Sequence, residues 1–244
     1  MRRLVRAELL KLQTTRLLLW LGLLMVALIA FIVSTRTAST ATFSLLQQSE
    51  QRSIAETAAL SIIVALIVGI VSTAGEYTRG TIDHTFLAWP RREQVVAAKL
   101  LAGAITGVAL AAFAEAVTWP IAAAWVSSKP VPFLLWTHTI LIAYLGVLAA
   151  GAIGGVIGVG LGALLRRQTA GIVLALLWLL VGEPVLAISG AQRFAPGHAI
   201  AAVADAGSHS SDMLAFWPGL LLALGYAAAF GAVGMIAVAR SDVG

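Results

Sequence analysis

The sequence predicts an all-α polytopic membrane protein with about six transmembrane helices and both termini cytoplasmic. Three observations carry that expectation. The 244-residue chain is 60% hydrophobic and 11% charged, with a mean hydropathy of +0.95, so it lacks the polar coat that a water-soluble core of this size needs. Six apolar runs approach or exceed the roughly 20 residues with which a helix crosses about 30 Å of hydrocarbon. The basic residues, finally, are shared unevenly between the connections.

The runs occupy 17–33, 57–74, 100–126, 135–165, 169–188 and 214–239. Backbone dissolved in lipid must satisfy its own hydrogen bonds, and runs of this length do so as helices. A β-barrel would require short alternating segments, and the sequence has none. The third and fourth runs are long enough to tilt, kink or project beyond the bilayer. No repeat or linker divides the chain, so 1–244 reads as a single membrane domain.

Orientation follows from Lys and Arg, which resist translocation. Twelve of the 16 basic residues fall at one set of ends: Arg2, Arg3, Arg6, Lys11 and Arg16, then Arg79, Arg91, Arg92 and Lys99, then Arg166, Arg167 and Arg240. The opposite loops hold Arg36, Arg52, Lys129 and Arg193. The net charge of +5 therefore reads as a topology signal rather than a nucleic-acid footprint, because no basic stripe is interleaved with aromatics. The basic lead-in and the length of the first run favour an uncleaved helix over a signal peptide. With no cysteine, disulfides, thiol nucleophiles and thiolate metal sites are excluded.

Two cytoplasmic segments stand out. Residues 75–93 form the most polar stretch, mixing Glu76, Arg79 and Asp83 with Tyr77, Phe86, Leu87 and Trp89. Thr81 is placed to cap a short surface helix carrying Ile82, Phe86 and Leu87, and Pro90 to open the next helix. That helix is either a docking surface or a solvated turn with its aromatics at the headgroups. Residues 2–16 place Val5, Leu9 and Leu12 on one stripe, with Glu8 beside it and Leu4 and Leu10 off it, as in an interfacial helix or a basic topogenic tail.

Inside the spans, Gly151 and Gly155, and the series Gly154, Gly158 and Gly162, recur four residues apart, a spacing that lets helix backbones approach closely. Packing within one subunit is the simpler use, a dimer interface the other. Glu115 and Glu183 lie at membrane depth, about 22 to 25 Å from the cytoplasmic helix ends at 1.5 Å per residue. They line a substrate path or carry a proton, or else they are hydrogen-bonded near the outer headgroups, with Pro120 and Pro184 marking bends or ends. The outer loop 189–212 contains His198, Asp205, His209 and Asp212 without metal-ligand spacing and reads as a solvated loop. Its apolar patch 199–204 suits a short helix dipping back into the outer leaflet.

No phosphate-binding loop, zinc-protease or nucleophile-elbow pattern occurs, so the chain is expected to be neither an enzyme nor a direct binder of any cofactor. Taken in order, its polar motifs resemble the type-2 permease family, the membrane subunits of bacterial ATP-binding-cassette transporters. The resemblance lies in Ala7-Glu8-Leu9-Leu10-Lys11-Leu12 with Thr14-Thr15-Arg16, and in Glu76, Arg79-Gly80-Thr81-Ile82, Pro90-Arg91 and Ala98-Lys99. It extends through Arg166-Arg167-Gln168 and Pro196-Gly197. Asp83 and Trp89 depart from the family's usual pattern.

The resemblance implies an exporter subunit in the bacterial cytoplasmic membrane, paired with a second permease subunit, in the simplest case a homodimer. Two cytoplasmic ATPase subunits would bind ATP and Mg and receive the 79–89 segment as a coupling helix. Glu76, Tyr77, Arg79, Gly80, Thr81, Phe86 and Leu87 are its ATPase-coupling residues, with Glu76 and Arg79 as polar transmitters. The alternatives are a non-transporting scaffold or sensor with a permease-like fold, and a membrane enzyme acting on lipid carriers.

Overall fold

The computed structural model describes residues 1–40, 42–89, 91–132, 137–205 and 213–239. Six spans are long and apolar enough to cross a membrane, and no strand occurs among the described residues. The short helix α1 (Arg2–Gln13) precedes the first span, α2 (Arg16–Ser39). α3 (Gln48–Ala55) and a 3-10 turn lead into α4 (Leu60–Thr78), followed by the short α5 (Ile82–Ala88) and the long α6 (Arg92–Ser127). α7 (His138–Leu165) returns, and the fifth span is built from α8 (Gln168–Leu177), a π turn (Trp178–Gly182) and α9 (Glu183–Ala187). α10 (Pro196–Ala204) caps the outer end before α11 (Phe216–Ala239) closes the chain. The protein is thus an all-α multi-pass membrane protein. Pro90, the expected opening of α6, and 135–136, the expected start of the fourth span, lie outside the described residues, as do His209, Asp212 and Arg240.

The two prolines act differently. α6 continues through Pro120 to Ser127, a run of about 54 Å at 1.5 Å per residue. Pro184 has no N–H for the preceding turn, and its ring crowds that turn, which is where the helix widens into the π turn.

Burial separates a central trio from a lipid-facing ring. About half or more of α4, α6 and α7 is covered by protein, against 17% of α2 and of the fifth span and 28% of α11. The trio packs through glycine. A Cβ at Gly151 would lie 2.7 Å from the Gly107 carbonyl, one at Gly103 would lie 2.9 Å from that of Gly155, and one at Gly107 or Gly155 would collide with the carbonyl opposite. The paired numbers run in opposite directions, so α6 and α7 are antiparallel. On the neighbouring face Gly154 meets Ile62, Gly158 meets Leu66 and Gly162 meets Ile70, so α4 and α7 are parallel. The two glycine rows are therefore two ridges of one helix, both used inside the subunit.

The outer end is closed by its few cations. Lys129 Nζ donates to the carbonyls of Thr37 at 2.6 Å and Thr40 at 3.0 Å, and Arg36 donates to that of Ser53 at 3.0 Å. Buried Arg52 pairs with Glu56 at 2.6 Å and Asp205 at 3.0 Å.

Gly107→Leu forces α6 and α7 apart and is expected to cost at least about 2 kcal/mol, in the upper range of overpacked cores. Gly22→Ala and Gly225→Ala, where no atom lies within 4 Å of the added Cβ, should stay within about 0.5 kcal/mol of the native protein. Thermal unfolding in detergent reads both, and equal melting of Gly107→Leu and Gly22→Ala would contradict the packing argument.

Candidate functional site

The chemistry concentrates at the basic end, where four charged side chains from three helices interlock. α1 turns Leu4 and Glu8 inward, both about 5% exposed, while Val5, Leu9 and Leu12 are half-buried. Its inward face is therefore centred one position from the expected stripe. The reason is a counter-charge: Lys99 on α6 is 2% exposed and donates to Glu8 Oε2 at 2.6 Å. Lys11 bridges Glu8 Oε1 and Glu76 Oε1, both at 2.8 Å, and Lys99 also reaches Glu76 Oε1 at 2.9 Å. Two carboxylates thus alternate with two ammoniums in a neutral ring. Isolated charges at this depth would be prohibitive, whereas an alternating set satisfies most of its members. Glu76 Oε2 alone remains buried without a hydrogen bond. Burial works against the charged form of Lys11, yet its hydrogen bonds to Glu76 and Glu8 outweigh that, and its pKa lies above the ordinary 10.5.

Glu76 stands in the last turn of α4, and the local sequence dictates how that helix stops. Gly80 takes φ +67°, its N–H reaches the Tyr77 carbonyl at 3.2 Å, and the Thr81 N–H reaches that of Glu76 at 3.0 Å. This paired closure requires a left-handed residue, a role glycine fills without strain. The chain then turns directly into α5. Thr81 precedes that helix but makes no side-chain cap; its hydroxyl points back to the Glu76 carbonyl at 3.4 Å.

α5 has two faces. Ile82 and Phe86 are buried against Val95 and Val96 of α6, Ala163 of α7 and Val238 of α11, with Tyr77 packed alongside. Arg92 lies 5.2 Å from the Phe86 ring and Arg166 lies 5.4 Å from that of Tyr77. Arg166 also donates to the Ala237 carbonyl at 2.6 Å, tying the ends of α7 and α11 to this corner. Leu87 is on the other face, 80% exposed, beside Trp89 at 40%. Arg79 does not enter the charge ring. It is exposed and folds back over Gly75, where a Cβ would meet its Nη2 at 2.9 Å.

Beside the ring lies a cavity of about 470 Å³, walled by the end of α1, the first turn of α2, the inner half of α4 and the 79–85 segment.

The two membrane glutamates serve separate surroundings. Glu183, 4% exposed, accepts from the Gly197 N–H at 2.6 Å and Trp178 Nε1 at 3.2 Å, and lies 2.8 Å from His198 Nδ1. It anchors the start of α10, where a helix N-terminus favours a carboxylate. A Cβ at Gly197 would touch the carboxylate at 2.6 Å, so glycine is needed for this contact. α10 is the helix anticipated for 199–204, covered by protein rather than by lipid alone: Ala199, Ala202 and Val203 are buried. Glu115 is half-buried on α6, within electrostatic reach of Tyr144; its Oε1 and the Tyr144 hydroxyl are both buried without partners. His198 and Asp205 are committed to Glu183 and Arg52, and no three metal-ligating side chains gather among the described residues.

Sequence reasoning singled out Glu76 but counted Glu8, Lys11 and Lys99 only as motif or topology residues. The available signal was Lys99 itself, a lone charge in the apolar stretch 95–107 whose depth demands a counter-ion. No protein-family model matches the chain, and no curated protein matches it in sequence.

Lys99→Met leaves two carboxylates sharing one ammonium and is expected to cost about 3–5 kcal/mol. Adding Glu8→Gln should recover part of that loss, with a coupling of about 0.5–3 kcal/mol in a double-mutant cycle; strict additivity would show that the charges do not act together. Because the folded pKa of Lys11 is raised, its contribution is complete below about pH 10.5 and is lost as the pH climbs through the folded value. The melting temperature of Lys11→Met should therefore lose less than the native protein's over that alkaline range.

Proposed function

We propose that this chain is the membrane subunit of a bacterial ATP-binding-cassette exporter, coupled to separate cytoplasmic ATPase subunits through α5. The observation that carries the reading is the two-sided arrangement of this short helix. One face is packed onto the ends of α6, α7 and α11, while Leu87 and Trp89 project away from the protein. One turn earlier, Glu76 ties the same corner to α1 and α6 through Lys11 and Lys99. A push on α5 is thereby delivered to several spans as a rigid-body displacement rather than absorbed in a loop.

The positive-inside distribution supports a cytoplasmic position for this corner, as an ATPase partner requires. In this reading a second copy completes the substrate path and the ATPase pair supplies ATP hydrolysis and Mg. Glu76 acts as a positioning residue inside the charge ring, and the exposed Arg79 as a surface contact. The protein belongs in the bacterial cytoplasmic membrane. A scaffold or sensor of the same fold would also bind a partner through α5, but its partner's ATP turnover would not drive transport.

Co-expression with an ATP-binding-cassette ATPase sought in the adjacent reading frames should yield a stable complex with ATPase activity. Leu87→Asp places a charge on the outer face of α5 and should lower recovery of the ATPase about tenfold or more while leaving the melting temperature of the chain within about 1 °C, since an exposed position costs little. Glu76→Ala should uncouple hydrolysis from transport or weaken assembly. Wild-type assembly and transport in both variants would reject the proposal, and copurification without ATP-driven transport would favour the scaffold.

A further inference from the structure

We propose that the cavity beside the charge ring is an inner-leaflet binding site for an anionic phospholipid. The claim does not require an ATPase partner. It rests on the shape, the layering and the charge of the cavity.

At about 470 Å³ the space is of the size that small-molecule sites occupy, about 300–1,000 Å³. Its α4 wall reaches from Glu76, near the end of the span, to Val68, about 12 Å along the helix axis at 1.5 Å per residue. The cavity therefore passes from headgroup level into the hydrocarbon. Its lining changes over the same distance. Thr81 and Thr85 come from the segment after α4 and Thr15 from the turn before α2, whereas Leu18 lies inside α2 and Val68 and Val71 lie two to three turns back along α4. A soluble anion would use only the first layer, whereas an amphiphile uses both.

The sign of the headgroup follows from the ring. Glu8 and Glu76 border the cavity, but both carboxylates are already bridged by Lys11 and Lys99, and that set carries no net charge. Arg79, the remaining ion in the lining, has no ion pair among the described residues. Lys11 spends two of its three donors on the ring while its side chain stays 47% exposed. The cavity thus offers one uncompensated guanidinium and one spare ammonium donor. A planar guanidinium matches phosphate oxygens bidentately. Phosphate held at Arg79, with an acyl chain along Leu18 and Val68, satisfies both layers.

The test uses the full-length protein in nanodiscs of equal phosphatidylglycerol and phosphatidylcholine with identical chains, followed by native mass spectrometry of the lipid retained after release into detergent. Phosphatidylglycerol should be retained about tenfold over phosphatidylcholine, the ratio expected for a charge-assisted contact. Arg79→Ala should erase that preference and Arg79→Lys should keep part of it. Ser72→Phe, which fills the cavity from α4, should lower retention of both lipids. sn-Glycerol 3-phosphate at millimolar concentration should fail to displace the lipid.

Equal retention of the two lipids by the native protein overturns the proposal. So does an unchanged preference in Arg79→Ala, a readout that stands even if Ser72→Phe does not fold. Displacement by glycerol phosphate overturns the amphiphile and assigns the site to a soluble phosphate ester.

Discussion

A helix dissolved in lipid gains nothing from burying leucine against leucine, because the acyl chains it leaves are as apolar as the side chains it meets. What holds this fold is how closely backbones approach. α7 carries glycines on two faces and brings its main chain against Gly103 and Gly107 of α6 on one side and Ile62, Leu66 and Ile70 of α4 on the other. Dispersion contacts between main chains then replace the missing hydrophobic drive. The outer ring has no such demand, and α2 leaves Trp20, Leu23 and Phe31 facing outward, where acyl chains can cover them.

The rigidity of that trio has an electrostatic counterpart. Glu76 lies in the last turn of one of its helices and Lys99 two turns into another, so their separation is set by the glycine packing rather than by side-chain choice. α1, lying outside the trio, completes the set with Glu8 and Lys11. A ring of this kind adds little net stability over an apolar core, since Glu8, Glu76 and Lys99 have lost their water. It does specify geometry: α1 can slide or rotate only by exposing a carboxylate or stranding an ammonium. The sharp glycine stop at Gly80 extends the same geometry into α5.

Much of this was readable from residue order. The six spans, the short helix after Thr81 and the helix around 199–204 all follow from apolar length and turn chemistry, which are local properties. The glycine rows announced close packing, though spacing alone left open whether the partner was α4, α6 or a second subunit. The charge ring was not legible, because Glu8, Lys11, Glu76 and Lys99 are scattered over 91 positions, with Glu8 read as a stripe defect, the two lysines as topology signals and Glu76 as a coupling residue. Glu183 shows the same limit from the other side. Its depth left open a substrate path or a hydrogen-bonded place near the outer headgroups, and its partners at Gly197 and His198 come from a helix beyond the next turn. Arg79, paired with Glu76 in sequence only as a polar transmitter, stays outside the ring, because Glu76 is committed to Lys11 and Lys99.

The salt bridge between Glu8 and Lys99 joins residues 91 positions apart, which bears on the order of assembly during synthesis. When α1 leaves the ribosome its carboxylate has no distant cation to meet, and it waits at the wet interface with only the cations of its own helix, Lys11 one turn on among them. The ring closes after the third span has been threaded with Lys99 at the correct depth. A span inserted upside down or displaced by one turn would present no ammonium there. The docked position of α1 is thus defined only once the first three spans are in register.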